Sequence, residues 1–256
     1  MERSQSERPV DAEQAMLEGA VSVEASLWSR SRPIEAVYLR RDRHEADDAR
    51  IERLAKQSGV SVYRVDAAEI DERAQGKTHG GVLAYVGPRR FVGFDELLSG
   101  QGAPFVAMLD GVEDPYNFGQ AVRALFAAGA TGLVVRPRNW MSAAAVVARA
   151  SAGASERLPT AVAETAQDAA DKFRARGLLI AVTDVTRAVD IYETDLTAPL
   201  FLLVGGEKRG VTRAFADAAD VRLRIPYGRE FRLSLGTAGA AAVLAFEVMR
   251  QRRARK

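Results

Sequence analysis

The sequence predicts an α/β protein in which a parallel sheet, flanked by helices on both faces, follows a smaller αβ domain. Three observations predict it. Short, nearly continuous apolar runs at residues 105–109, 132–136, 178–183, 200–204 and 221–225 read as strands buried on both faces. Segments with helical spacing separate them, at about residues 117–128, 142–150, 165–176 and 211–218, and residues 235–251 form a final helix. A stretch at residues 87–102, with Pro88, two arginines and several glycines around a short amphipathic piece at 94–98, separates this unit from what precedes it.

Taken in order, residues 1–15 read as a disordered leader, 16–87 as the smaller domain, 88–102 as a linker and 103–256 as the larger domain. In the smaller domain residues 34–39 are apolar and β-rich. Residues 46–58 have helical spacing, with Ala49 and Leu54 inward, and Gly59 is placed to end that helix. Residues 60–65 form a strand, Asp66 is placed to cap a helix over 67–74 with Glu69 three residues on, and 81–86 close the unit as another strand. Alanine richness in the larger domain reports helix propensity and close helix packing.

Composition excludes several classes. At 256 residues, 47% hydrophobic and 27% charged, the chain can bury a proper core, and no apolar run approaches the roughly 18 residues of a membrane span. The N-terminal residues are polar and lack the apolar centre of a secretory signal, so a cytoplasmic location is the expectation. Zero cysteines remove disulfides, thiolate metal sites and cysteine nucleophiles. His44 and His79 are the only histidines and lack ligand spacing, so no metal is expected; His79 suits a turn or an RNA contact. The 36 Lys+Arg against 34 Asp+Glu give +2, so any nucleic-acid contact must be local. Arginines cluster at Arg30, Arg32, Arg40, Arg41 and Arg43 and again at Arg250, Arg252, Arg253 and Arg255. They suit either RNA contact or a solvated face and a frayed tail. Trp28 and Trp140 could stack on bases or be buried.

Three blocks carry the chemistry. Residues 109–135 read as strand, polar turn, helix and strand. Asp110 and Asn117 bracket the turn, Pro115 stiffens it, Asn117 is placed to cap the helix, and Arg123 lies six residues further on. Residues 200–210 are an apolar strand ending in Gly205, Gly206 and Glu207. Bare backbone at the carboxyl end of a parallel strand is where α/β ligand sites lie, although a glycine pair also suits a plain tight turn. Residues 224–247 run through Ile225-Pro226 and a glycine turn into the final helix. There is no phosphate-binding GxxxxGK[ST] frame and no GxGxxG fingerprint, which disfavours a nucleotide-dependent oxidoreductase.

In this order the blocks resemble the three motifs of the TrmH/SpoU family of SPOUT-class RNA ribose 2′-O-methyltransferases. The first, N-x-G-x-x-x-R, is matched by Asn117, Gly119 and Arg123; the second, G-x-E-x-x-G, by Gly205, Glu207 and Gly210; the third opens at Ile225-Pro226. Residues 151–154 resemble the family's SAGA stretch, and residues 78–82 resemble an element of its ribosomal-protein-L30e-like substrate domain. The resemblance spans about residues 19–252. It implies a deep trefoil knot, a homodimer and S-adenosylmethionine as cofactor, held near Gly205, Gly206, Ile225, Phe231 and Leu235. It also implies an RNA substrate, with 23S rRNA preferred over tRNA. Arg123, Glu207 and Asn117 would form the reactive site, with Arg123 or Glu207 drawing off the ribose proton. One departure stands out: Arg232 occupies the place of a family asparagine. A guanidinium cannot accept a hydrogen bond, so Arg232 would grip a phosphate or pair with Glu207. A catalytically degenerate RNA-binding homologue is the competing reading.

Overall fold

The computed structural model describes residues 14–100, 102–137, 143–206 and 210–255. Two sheets organise the chain. The larger, seven-stranded and wholly parallel, has the order β7-β6-β5-β10-β8-β11-β9. Its strands are β5 (Phe105–Asp110), β6 (Gly132–Val135), β7 (Thr160–Val162), β8 (Leu179–Thr183), β9 (Val189–Asp190), β10 (Leu200–Gly205) and β11 (Val221–Arg224). Alternate residues of the central strands feed two cores. Phe105, Ala107, Leu109, Leu200, Leu202 and Val204 pack with α4 (Pro115–Ala127) and α9 (Thr237–Ala254). Val106, Met108, Phe201 and Leu203 pack on the other face with α7 (Ala166–Arg174) and α8 (Arg213–Ala218). Burial on both faces is why these strands read as continuous apolar runs rather than as alternating ones.

The smaller sheet, ordered β1-β4-β2-β3, contains β1 (Ala15–Glu18), β2 (Ile34–Arg40), β3 (Ser61–Val65) and β4 (Val82–Val86). Helices α1 (Ala20–Ser29), α2 (Asp48–Gln57) and α3 (Ala67–Arg73) accompany it. The expected leader lies, over residues 1–13, outside the described residues; Ala15 already pairs with Val86 as the start of β1. On α2 the buried residues are Asp48, Ile51 and Ala55, so the inward face is turned away from Ala49, which is exposed, and Leu54 is half-buried. Asp66 stands at the cap position of α3 but makes no side-chain capping bond.

The expected linker does not act as a free tether. Its 3-10 turn Phe94–Leu98 buries Leu97 completely, and Gly132 is a glycine because a Cβ there would lie 2.6 Å from that of Leu97. Arg90 N–H donates to Ser31 O, and Val92 N–H to Thr160 O, so the stretch is tied to both domains. Three of the basic C-terminal residues are likewise tied into the fold. Arg252 donates to the carbonyls of Ala103, Pro104 and Ala198, Arg250 pairs with Glu247 and Arg255 with Asp195.

The two domains share a buried seam built on α5 (Ala144–Ala150) and α6 (Ala154–Arg157). Ala144 and Ala148 belong to the core of the smaller domain, beside Leu17, Val23 and Leu27. Gly153, at φ 76°, lets α6 meet α1, since a Cβ there would lie 2.6 Å from that of Ala25. Glu18, fully buried, accepts from the N–H groups of Gln75 and Gly76 and pairs with Arg149, which also donates to Thr78. His79 lies in the same turn, where its Nδ1 accepts from Gly81 N–H.

At the seam's centre the Glu156 carboxylate accepts from Ser31 at 2.6 Å and from Arg32 at 2.9 and 3.2 Å, with Arg89 at 3.5 Å. Burial opposes its charged form, but Arg32, Arg89 and the hydrogen bonds outweigh that and hold its pKa below the usual carboxylate value. Removing one member of such a cluster leaves the others charged and buried. We expect Glu156→Gln to lower unfolding stability by about 3–5 kcal/mol in denaturant titration. A depressed carboxyl stabilises above its unfolded pKa of about 4.3 and loses that contribution as pH falls through its lower folded value. The gap between Glu156→Gln and the unsubstituted protein should therefore be full at neutral pH and narrow below about pH 4.3.

Candidate active site

The sheet places a cleft at the carboxyl ends of β8, β10 and β11, where parallel sheets bind ligands. It encloses about 1140 Å³ and is lined by Gly205, Gly206, Ile225, Phe231 and Leu235, all five residues expected to hold the cofactor, and by Arg232.

Gly205 and Gly206 form its inner wall for a reason the sequence did not reveal. A Cβ on Gly206 would lie 2.1 Å from Gly111 O, and one on Gly205 2.8 Å from the carbonyl carbon of Gly210. The missing side chains make room for the chain itself. Gly206 N–H donates to Asp110 O at 2.7 Å, which carries the β10–β5 pairing one residue past the strand. Thr237 Oγ1 donates to Gly205 O at 3.3 Å and so seats the start of α9 under the same crossing.

The outer wall is the segment between β11 and α9. Between residues 225 and 234 no backbone group pairs with another backbone group among the described residues. Phe231, Leu233 and Leu235 are exposed, at 54%, 71% and 37%, and the Tyr227 ring meets that of Phe231 edge-on at 5.8 Å. Tyr227 also accepts from Leu235 N–H at 3.0 Å, closing the segment into a loop. Uncovered apolar side chains beside free amide groups fit an adenine ring, which needs flat apolar contact and edge hydrogen bonds. Arg232 stands out in solvent, 3.7 Å from Glu230.

The cleft's far side holds residues that the motifs did not flag. Asp184 accepts from the N–H groups of Val185 and Thr186 and from the Thr186 hydroxyl. Burial works against its charge, but these bonds and Arg222 hold its pKa below the usual value. Arg222 also donates to Ala216 O and pairs with Asp217. The usable signal was position: Asp184 follows β8 directly, at a strand end beside β10.

Asn117 and Arg123 do not line this cleft. Asn117 does not cap α4: Asp114 does, accepting from Tyr116 N–H at 2.9 Å. Pro115, with a fixed φ and no N–H, suits the first helical position, so the helix begins before Asn117 and leaves it half-buried in the first turn. Gly119 lets α4 approach α5, since a Cβ there would lie 2.6 Å from that of Ala150. Arg123 is exposed and has no ion pair among the described residues. Glu207 lies outside the described residues, as does Trp140. The early arginines are mostly neutralised: Arg40 pairs with Asp42, Arg41 with Asp66, and Arg43 with Asp47 and Asp48. At the crossing, Gly206→Ala should destabilise by about 3 kcal/mol, the upper range for forced overpacking. Gly228→Ala, with nothing within 4 Å of its Cβ, should stay within about 0.5 kcal/mol; denaturant titration compares the two.

Comparison with known proteins places this geometry. The profile of the SpoU rRNA Methylase family matches residues 104–246, and that of RNA 2'-O ribose methyltransferase substrate binding matches residues 16–92. The chain is 30% identical over 242 residues to the 23S rRNA (guanosine-2'-O-)-methyltransferase RlmB of Pseudomonas syringae, covering 93% of this chain and 96% of that one. It is 31% identical to the Pseudomonas aeruginosa protein of the same name, covering 91% and 95%. The SpoU methyltransferase AviRb from Streptomyces viridochromogenes, solved in complex with AdoMet, has the same fold. It superposes with a TM-score of 0.78 at 21% identity over 94% of this chain and 91% of that one. The chain belongs to the SpoU rRNA methylase family, and its activity is that of an S-adenosylmethionine-dependent RNA 2′-O-ribose methyltransferase.

Proposed function

We propose that the protein methylates the 2′-oxygen of a guanosine in 23S ribosomal RNA, acting in the cytoplasm as a homodimer. The observation that carries the RNA target is the likeness to the two Pseudomonas enzymes, which extends over the smaller domain as well as the larger. No helix among the described residues is long and apolar enough to cross a membrane. The domain limits are proposed as 16–87 and 103–256, with 88–102 between them. The trefoil knot is supported by the passage of Gly206 against Gly111 and by the return of the chain to Gly205 at Thr237.

S-adenosylmethionine supplies an electrophilic methyl group. Gly205, Gly206, Ile225, Phe231 and Leu235 would hold it, the last three as apolar wall. The ribose hydroxyl is a poor nucleophile, so its proton must leave as the methyl arrives. Arg123 is proposed to take it, with an RNA phosphate helping to draw off the guanidinium's own proton, because a charged guanidinium has no lone pair with which to act as a base. Glu207 would hold Arg123 in place, and Asn117 would shape the turn that admits the ribose. Arg232, solvent-facing beside Glu230, would grip a phosphate of the same RNA. Dimerisation is supported by the outer side of α9, which leaves Gly239 and Phe246 exposed at helical spacing.

Undermethylated ribosomal RNA incubated with protein and cofactor should gain a 2′-O-methyl group on a 23S guanosine, and mapping that places it in tRNA alone would overturn the choice. Arg123→Ala should abolish single-turnover methylation while calorimetry shows cofactor binding unchanged, and Arg232→Ala should weaken RNA binding or turnover. Light scattering should give twice the 27.7 kDa chain mass at micromolar concentration.

A further inference from the structure

Trp28 sits on α1 with 60% of its surface exposed, although tryptophan is usually well buried. It lies at the domain seam, and across the seam Arg157 of α6 stacks on it, its Cζ 4.6 Å from the ring centroid. The same guanidinium faces the Phe126 ring of α4 at 6.0 Å. Phe126 in turn follows Arg123 by three residues, the spacing at which helical side chains become neighbours. Indole, guanidinium and phenyl ring thus form one continuous strip from the smaller domain onto α4, the helix that carries the residue proposed to take the ribose proton. Neither Arg123 nor Arg157 has an ion pair among the described residues, so the strip carries uncompensated positive charge.

The seam fixes this strip. Arg157 follows Glu156, whose carboxylate is clamped by Ser31 and Arg32, just beyond the end of α1. The clamp that joins the domains therefore also sets Arg157 over Trp28. Flat π surfaces with unpaired guanidinium groups are what unpaired RNA bases stack on, while the phosphates meet the positive charge.

We propose that Trp28, Arg157 and Phe126 form a stacking platform for an unpaired base next to the methylated nucleotide. The proposal rests on the RNA methylation reading above and extends it to a part of the surface outside the cleft. A basic pocket beside it, lined by Arg30, Arg32 and Arg90, is a poorer phosphate site, because residues at the carboxyl ends of α1 and α2, the negative ends of the helix dipoles, also line it.

The test uses the full chain and unmethylated 23S rRNA fragments made by transcription. Trp28→Leu and Arg157→Gln should each raise the RNA Kd about fivefold to tenfold, with cofactor binding and mass by light scattering unchanged. In a Trp140→Phe background, where Trp28 is the only indole, RNA should quench its fluorescence. An unchanged Kd in both variants, or no quenching, would overturn the platform while leaving the methylation reading intact. A fall in mass in either variant would show that a second copy of the chain occupies the face, which also overturns it. If the unsubstituted protein neither binds nor methylates the RNA, both readings fail together.

Discussion

The passage of one backbone against another at Gly206 and Gly111 is the constraint on which the active face depends. A carbonyl oxygen within 2.1 Å of a would-be Cβ leaves no room for any side chain, so the end of β10 and the turn after β5 are locked edge to edge. The cleft's inner wall, the start of α4 and, through Thr237, the start of α9 all take their positions from that contact. The glycines that make room for this contact also leave the cleft wall as bare backbone.

A second constraint acts across the seam. Glu156 gathers two arginines, one from the smaller domain and one from the segment that joins the domains, in surroundings that exclude water. Such a cluster contributes geometry more surely than net stability, because burying the charges costs much of what their pairing returns. Its consequence is that the smaller domain meets the larger one in a fixed pose, held also by Arg149 with Glu18 and by Gly153 against Ala25.

The central strands were legible in the sequence because burial on both faces leaves an uninterrupted apolar run, and the observed bounds agree within about two residues. What escaped reading was short or dependent on distant partners. β7 and β9, with three and two residues, are too brief to show a period, and β1 and α1 precede the first recognisable run. Helical spacing alone does not fix which face of α2 turns inward: it suggests Ala49, whereas Asp48, Ile51 and Ala55 are the buried residues. The five residues that the family resemblance singles out for the cofactor come together in one cleft because they flank the carboxyl ends of β10 and β11 and the start of α9. Asn117 is not the cap because Pro115 moves the helix start upstream to Asp114. Asp184 and Trp28 carry no motif; only the folded seam and strand order give them neighbours.

The small domain's core has a consequence for how the chain is made. Ala144 and Ala148 are part of that core, yet they follow its last strand, β4, by roughly sixty residues. At the usual ribosomal pace of about 5–20 residues per second, β1 to β4 would emerge several seconds before α5 could cover them. Over that interval the nascent domain presents an apolar face with no partner, a natural target for a chaperone at the exit tunnel. Completion of the first domain is thereby coupled to synthesis of the second, so a ribosome stalled between them would carry an unfinished core rather than a finished module.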